Sequence, residues 1–227
     1  MRVRSDGEQT RAKILEAACA AFGEKGYHKA TFAEIGKHGD FSLASISFHF
    51  RSKDELYQLV WSTFQKRVHE RWPVHGGLPA DAPAEERLRA HVQASLNRSC
   101  DPDLASLHRI HMQERVNPTG LLEEEVRKHR AENQRHMRTL LRDLLGEEAT
   151  EIDIDLCEMS IVNQFTVLRP PRPLHPKRPP SPPHSQDSCP RYSKNDVDRL
   201  TDHITTFCLG GIVAVRRAIA ARKESSD

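Results

Sequence analysis

The sequence predicts an all-α protein, with a three-helix helix-turn-helix head followed by a helical-bundle body. Three observations predict it. Apolar residues recur at three- and four-residue spacing along most of the 227 residues. Capping residues, glycines and prolines punctuate those runs where helices start and stop. The composition, 37% hydrophobic and 29% charged, suits one globular unit or two small ones and excludes collagen-like, coiled-coil-only and wholly disordered chains.

The first helix is expected from about Glu8 to Lys25, with Ile14, Leu15, Ala18 and Phe22 on one face and Gly26 as its left-handed cap. Thr31 is the N-cap of a short second helix, with Glu34 three residues on at capping-box spacing. That helix cannot run far past Gly39. Ser42 caps the third helix, whose Leu43, Ile46 and Phe50 are expected to face inward. The tight Gly39-Asp40-Phe41 connection makes the second and third helices a helix-turn-helix. A longer helix then starts at Ser52 or Lys53-Asp54 and ends before Pro73.

After a loop from Pro73 to Pro83, Leu88, Val92 and Leu96 define a helix over Ala84 to Ser99. Asp101-Pro102 opens the next, carrying Leu104, Leu107 and His111. Asn117-Pro118 ends it and begins another, whose stripe from Leu122 to Leu144 stops at Gly146. The segment from Thr150 is apolar on two sides, Ile152, Leu156 and Met159 on one and Ile154, Cys157, Ile161, Phe165 and Leu168 on the other. Two apolar faces imply two buried faces, one in the core and one between subunits. Nine of the 14 prolines fall between Arg169 and Pro190, where a solvated polyproline-type loop is expected. The last helix runs from about Asn195 to Lys223, with Val197, Leu200, Ile204, Phe207 or Cys208, Gly211 and Val215 sharing a face. Gly210 and Gly211 cost it about 1 kcal/mol each against alanine, and the close approach of another helix is one reason to keep them.

Charge and cysteine content narrow the chemistry. There are 34 basic and 32 acidic residues, so the whole chain carries no field suited to a polyanion. Residues 1–53 hold nine Lys or Arg against six acids, which leaves +3 at one end. The five cysteines are scattered, with no C-x-x-C pair, and read as reduced thiols. No stretch is expected to supply the roughly 20 apolar residues of a membrane helix. A cytoplasmic protein with no membrane partner is therefore expected.

The segments T-x-x-x-I-L-x-A-A-x-x-x-F-x-x-x-G-Y from Thr10, A-T-F-A-E-I from Ala30 and S-L-A-S-I-S-F-H-F-x-S-K-D-E-L-Y from Ser42 to Tyr57 resemble the head of TetR-type transcriptional regulators. The last of these is most similar to the CecR-like branch. M-Q-E-R-V-N-P-T from Met112, C-E-M-S-I-V-N-Q-F from Cys157 and D-H-I-T-T-F-C-L-G-G-I from Asp202 also resemble that branch. The resemblance implies a DNA-binding head over residues 1–53 and a ligand-binding and dimerisation body over 54–227. It implies a homodimer formed through the last two helices, and a small-molecule effector that releases a repressor from its double-stranded DNA operator. The chain departs from the family pattern in three places. Gly39-Asp40-Phe41 replaces the usual Ala-Gly-Val turn, and Gly36 stands where alanine is frequent. The proline-rich insert 169–191 replaces polar helical sequence; its flanks resume the pattern, as an insertion or a pair of compensating frameshifts would leave them.

A recognition helix enters the major groove with its N-terminal residues near base edges. Ser45 and Ser47 are placed to meet bases or phosphates, Phe48 a thymine methyl or sugar, and His49 and Lys53 phosphates; Thr31, Ser42 and Ala44 complete the expected DNA-binding set. With no arginine in that helix, affinity should rest on phosphates and fall with salt. The expected ligand pocket comprises His108, His111, Met112, Glu114, Cys157, Gln164 and Phe165, where a carboxylate would suit a cationic or hydrogen-bonding ligand. His108, His111 and Glu114 lack clean metal-ligand spacing, so no metal site or cofactor is expected. There is no nucleophile elbow and no Gly-rich phosphate loop, so the chain is expected not to be an enzyme. The competing readings are a metal-dependent hydrolase using Asp153 and Asp155, and a DNA-binding dimer without ligand response.

Overall fold

A computed structural model describes the backbone of residues 2–166 and 196–225, and side chains within 6–164 and 196–225. The proline-rich insert, Leu168 and the side chain of Phe165 lie outside the described residues. Among those described there are nine helices and no strand. They are α1 (Arg2–Lys29), α2 (Phe32–Gly39), α3 (Leu43–His49), α4 (Lys53–Arg71), α5 (Ala84–Cys100), α6 (Ala105–Val116), α7 (Glu123–Leu145), α8 (Glu151–Thr166) and α9 (Val197–Glu224). A short 3-10 turn, Pro102–Leu104, precedes α6.

Local chemistry places most of the boundaries. Gly26 has φ +78° and bends α1, which continues past it to Lys29. Thr31 Oγ1 accepts from the Glu34 amide at 3.2 Å and starts α2; Asp40, left-handed at φ +57°, ends it. Ser42 Oγ accepts from the Ser45 amide at 3.1 Å and starts α3. Ser52 Oγ accepts from the Glu55 amide at 3.1 Å at the head of α4. Thr150 and Asp153 cap α8 reciprocally: the Asp153 amide donates to Thr150 Oγ1, and the Thr150 amide and hydroxyl donate to Asp153 Oδ2.

The chain forms two compact units, Met1–Glu70 with Asp103–Lys128, and Arg71–Pro102 with His129–Asp227. In the first, Ile14, Phe22, Ile35, Ile46, Phe50, Leu56, Tyr57 and Trp61 are fully buried. Here α1 and α6 approach so closely that a β-carbon on Gly23 would meet the Ser106 carbonyl oxygen at 2.7 Å. Arg109 Nε and Gln113 Nε2 both donate to the Gly23 carbonyl, at 3.1 and 3.3 Å. In the second unit α5, α7, α8 and α9 share one core built on Leu88, Val92, Leu96, Leu141, Ile154 and Cys208.

Two expectations are corrected and one open alternative is resolved. Leu43, expected to face inward, is 54% exposed, because the inward face of a seven-residue helix is taken by Ile46 and the following Phe50. On α9 the core takes Cys208 and leaves Phe207 67% exposed. Residues 204–221 carry only Arg216 and Arg217 as charges, so α9 is long and apolar enough by length and composition to cross a membrane. That composition is also what a helix with one face in a protein core and a second apolar face requires, and α9 packs on α5 and α8.

Candidate nucleic-acid interface

The turn between α2 and α3 determines how α3 is presented. The Asp40 and Phe41 amides both donate to the Gly36 carbonyl, and the β-carbons absent from Gly36 and Gly39 would collide with Phe41. Below α3, Ile46 and Phe50 anchor it in the core, with the Arg11 guanidinium 5.2 Å from the Phe50 ring centroid. The face left to solvent carries Leu43, Ala44, Ser47 and Phe48, the last 85% exposed. His49 meets the Phe48 ring edge-to-face at 5.2 Å. Such a face offers two large apolar groups and two small side chains that let a partner approach closely.

Around this face the sequence-selected residues fall into two groups. Thr31, Ser42, Ala44, Ser47 and Phe48 are exposed, whereas Ser45, His49 and Lys53 are half-buried. Thr31 and Ser42 are occupied as helix caps, although each keeps its hydroxyl proton for an outside acceptor. Lys53 Nζ donates to the Tyr27 carbonyl at 3.0 Å and sits 4.3 Å from the Tyr27 ring centroid, which fixes its position and leaves two donors. Tyr27 in turn donates to Asp54 Oδ1 at 2.5 Å; desolvation and that carboxylate raise its pKa to about 12. Leu43 escapes sequence reasoning as a surface residue because its spacing alone fits the buried stripe.

The seven pocket residues divide between the two units. His108, His111, Met112 and Glu114 belong to the first, and Cys157 and Gln164 to the second; Phe165 lies outside the described side chains. Glu114 is buried and accepts from Tyr57 Oη at 2.7 Å and from the Thr119 amide at 3.2 Å, so both of its oxygens hold protein donors. Burial, and then the Glu114 carboxylate, push the Tyr57 phenol far above its ordinary range. His111 stacks on Trp61 at 5.7 Å, and burial followed by Arg109 and Arg115 lowers the His108 pKa. Gln164 Nε2 donates to Cys208 Sγ at 3.2 Å, while burial raises the Cys157 thiol pKa. Asp153 is held by Arg222, and Asp155 by Arg138.

A short exposed helix following a tight turn in a helix-turn-helix is the architecture with which transcriptional regulators read a DNA groove. The pattern of bacterial regulatory proteins of the tetR family matches residues 14–60. That of the C-terminal domain of the HTH-type transcriptional dual regulator CecR matches residues 84–212. The chain belongs to the TetR family of transcriptional regulators, in the CecR-like branch. CecR of Shigella flexneri is 28% identical over 129 residues, 50% of this chain and 55% of that protein. The uncharacterized HTH-type regulator YdgC of Bacillus subtilis is 31% identical over 68 residues, 30% of this chain and 35% of that protein. The chain thus matches between about a third and just over half of the length of these relatives. A TetR-like regulator from Rhodococcus sp. RHA1 has the same fold, with a TM-score of 0.64 and 17% identity over 90% of this chain and 96% of that one.

Proposed function

We propose that the protein is a homodimer that binds a two-fold symmetric DNA operator through α3 of each subunit, and that a small-molecule effector releases it. The observation that carries the reading is Phe48, 85% exposed at the tip of a helix whose other aromatic, Phe50, is buried. An exposed phenylalanine loses hydrophobic free energy in the monomer and offers a contact for a thymine methyl. In this reading Leu43, Ala44, Ser47 and Phe48 meet base edges, while Thr31, Ser42, Ser45, His49 and Lys53 meet the sugar-phosphate backbone. The head comprises residues 1–53 and the body residues 54–227.

Dimerisation is supported by the second apolar faces of α8 and α9. Ile152, Leu156, Met159 and Val162 are exposed on α8, and Phe207 and Val213 on α9. A β-carbon added to Gly210 or Gly211 would meet no atom within 4 Å, which leaves room for a second backbone. Repression is the expected mode; the relative CecR is called a dual regulator, so an activating arm belongs in the same experiment.

Selection of bound DNA by the purified full chain, at two salt concentrations and with F48A alongside, tests the reading. A palindromic site bound tightly by the wild type and at least about tenfold more weakly by F48A is expected. Sequence-independent binding lost at the higher salt would overturn it.

A further inference from the structure

In the second unit, one face of α5 carries Arg87, His91, Ser95 and Arg98 at helical spacing, opposite His136 of α7. The His91 and His136 rings stack at 5.4 Å and 23°. His91 Nδ1 lies 3.0 Å from the Val74 carbonyl, which only accepts, so the proton belongs on Nδ1. His136 Nε2 and Arg87 Nε are buried and have no hydrogen-bond partner among the described residues. Arg87 is nonetheless neutralised by Asp143 at 2.5 Å.

Arg98 differs from its neighbours. Its side chain folds back along its own helix, with Nε donating to the Ala94 carbonyl at 3.2 Å and Nη2 to Ser95 Oγ at 3.4 Å. No carboxylate among the described residues lies within ion-pair distance of it; Glu132 of α7 acts on it only through its more distant field. Burial lowers the guanidinium pKa to about 10, so it stays charged at neutral pH while losing hydration. Arg98 is half-buried, and an arginine drawn in from solvent is usually paired with a carboxylate. Burial also holds both histidines neutral near pH 7, which leaves Arg98, among the described residues, as the one uncompensated charge of the cluster.

We propose that Arg98, His136 and Arg87 form the recognition site for a small organic monoanion, a carboxylate whose oxygens take the free edge of the Arg98 guanidinium while its flat body lies against the histidine stack. The single uncompensated charge selects a monoanion, and the planar fork suits a carboxylate held by two parallel hydrogen bonds. The inference rests on the effector reading above and names the class of compound that site would take.

The test is calorimetric titration of the full-length protein, without DNA, using benzoate, its neutral isostere benzamide, and benzylamine. Saturable benzoate binding at least about tenfold tighter than benzamide, with none for benzylamine, is expected. Arg98→Met, which keeps an apolar stem and removes the half-buried charge, should leave Tm unchanged or higher and abolish benzoate binding. If that variant does not fold, Arg98→Lys keeps the charge without the fork and should bind benzoate several-fold more weakly. Equal affinity for benzoate and benzamide, or unchanged benzoate affinity in either variant, would overturn the site. Operator release is then measured separately. Benzoate bound through Arg98 with the operator still held supports the site and removes the effector reading. Release by another compound that acts equally on R98M keeps the effector reading and removes the site.

Discussion

Phe41 donates its amide to the Gly36 carbonyl at 2.9 Å, and its own carbonyl returns so near that a β-carbon on Gly36 would lie 2.5 Å from it. The obstructing atom belongs to the backbone and cannot swing aside as a side chain would. Gly36→Ala gains up to about 1 kcal/mol of helix propensity but must open the turn, at a cost of about 1–3 kcal/mol. The expected outcome is a lower midpoint in urea unfolding and weaker operator binding, since the same turn aims α3.

Exposed residues of α3 should behave in the opposite way. Leu43→Ala and Phe48→Ala remove side chains that are 54% and 85% exposed, so stability should change by no more than about 0.5 kcal/mol. Operator affinity should fall. Thermal unfolding beside a DNA-binding titration separates the two effects, and a stability loss like that of G36A would place these side chains in the head core.

Acid should weaken the second unit through its histidine stack. Burial, then Arg98 and His136, hold the His91 pKa at about 3 against an ordinary 6.5, and burial, then His75, Arg87 and Arg98, lower His136 as well. Between these values the unfolded chain binds protons that the folded chain refuses. Stability therefore rises with pH across that window and is lost as pH falls below 6.5, by up to about 1.4 kcal/mol per pH unit for each such group. Urea unfolding at pH 7.5, 6.0 and 5.0 should show the decline, and His91→Leu should show a shallower one.

The start of α8 is built to resist acid. Thr150 and Arg222 hold the Asp153 carboxyl at about 2, so its contribution is present above the ordinary 3.8 and is lost only as pH falls toward 2. Asp153→Asn should cost about 1–2 kcal/mol at pH 7, measured by chemical unfolding.

Tyr57→Phe removes the phenol that donates to Glu114 at 2.7 Å and leaves a buried carboxylate with one donor fewer. A loss of about 1–3 kcal/mol is expected. Had Glu114 been free for a ligand, the same variant would leave stability untouched, so one unfolding curve decides between a structural and a ligand-facing carboxylate.

The helices are legible in the sequence because their signals are local. Leu88, Val92 and Leu96 mark α5 by spacing, and all three are fully buried; Thr31 and Ser42 announce their caps and act as such. Where two neighbouring residues compete for one slot, local pattern does not choose. Phe207 and Cys208 differ by about 100° around α9, and only the packing of α5 and α8 on that helix selects the cysteine. Pairings between distant helices are invisible for the same reason. Nothing in a lone His91 points to His136, and nothing near Glu114 names Tyr57, since both contacts depend on how the helices cross. Two of the departures from the family pattern are connected in the structure, because Phe41 occupies the space that side chains at Gly36 and Gly39 would need.

The contact at Gly23 bears on how this protein could be recombined with its relatives. Because α6 lies on α1 at a distance that tolerates no β-carbon, and draws two side-chain hydrogen bonds from one carbonyl, a transplanted head would leave its brace behind if the crossover fell at residue 53. A chimaera that carries Met1–Glu70 together with Asp103–Lys128 keeps donor and acceptor surfaces matched. Graft junctions should follow the folded units rather than the order of the chain.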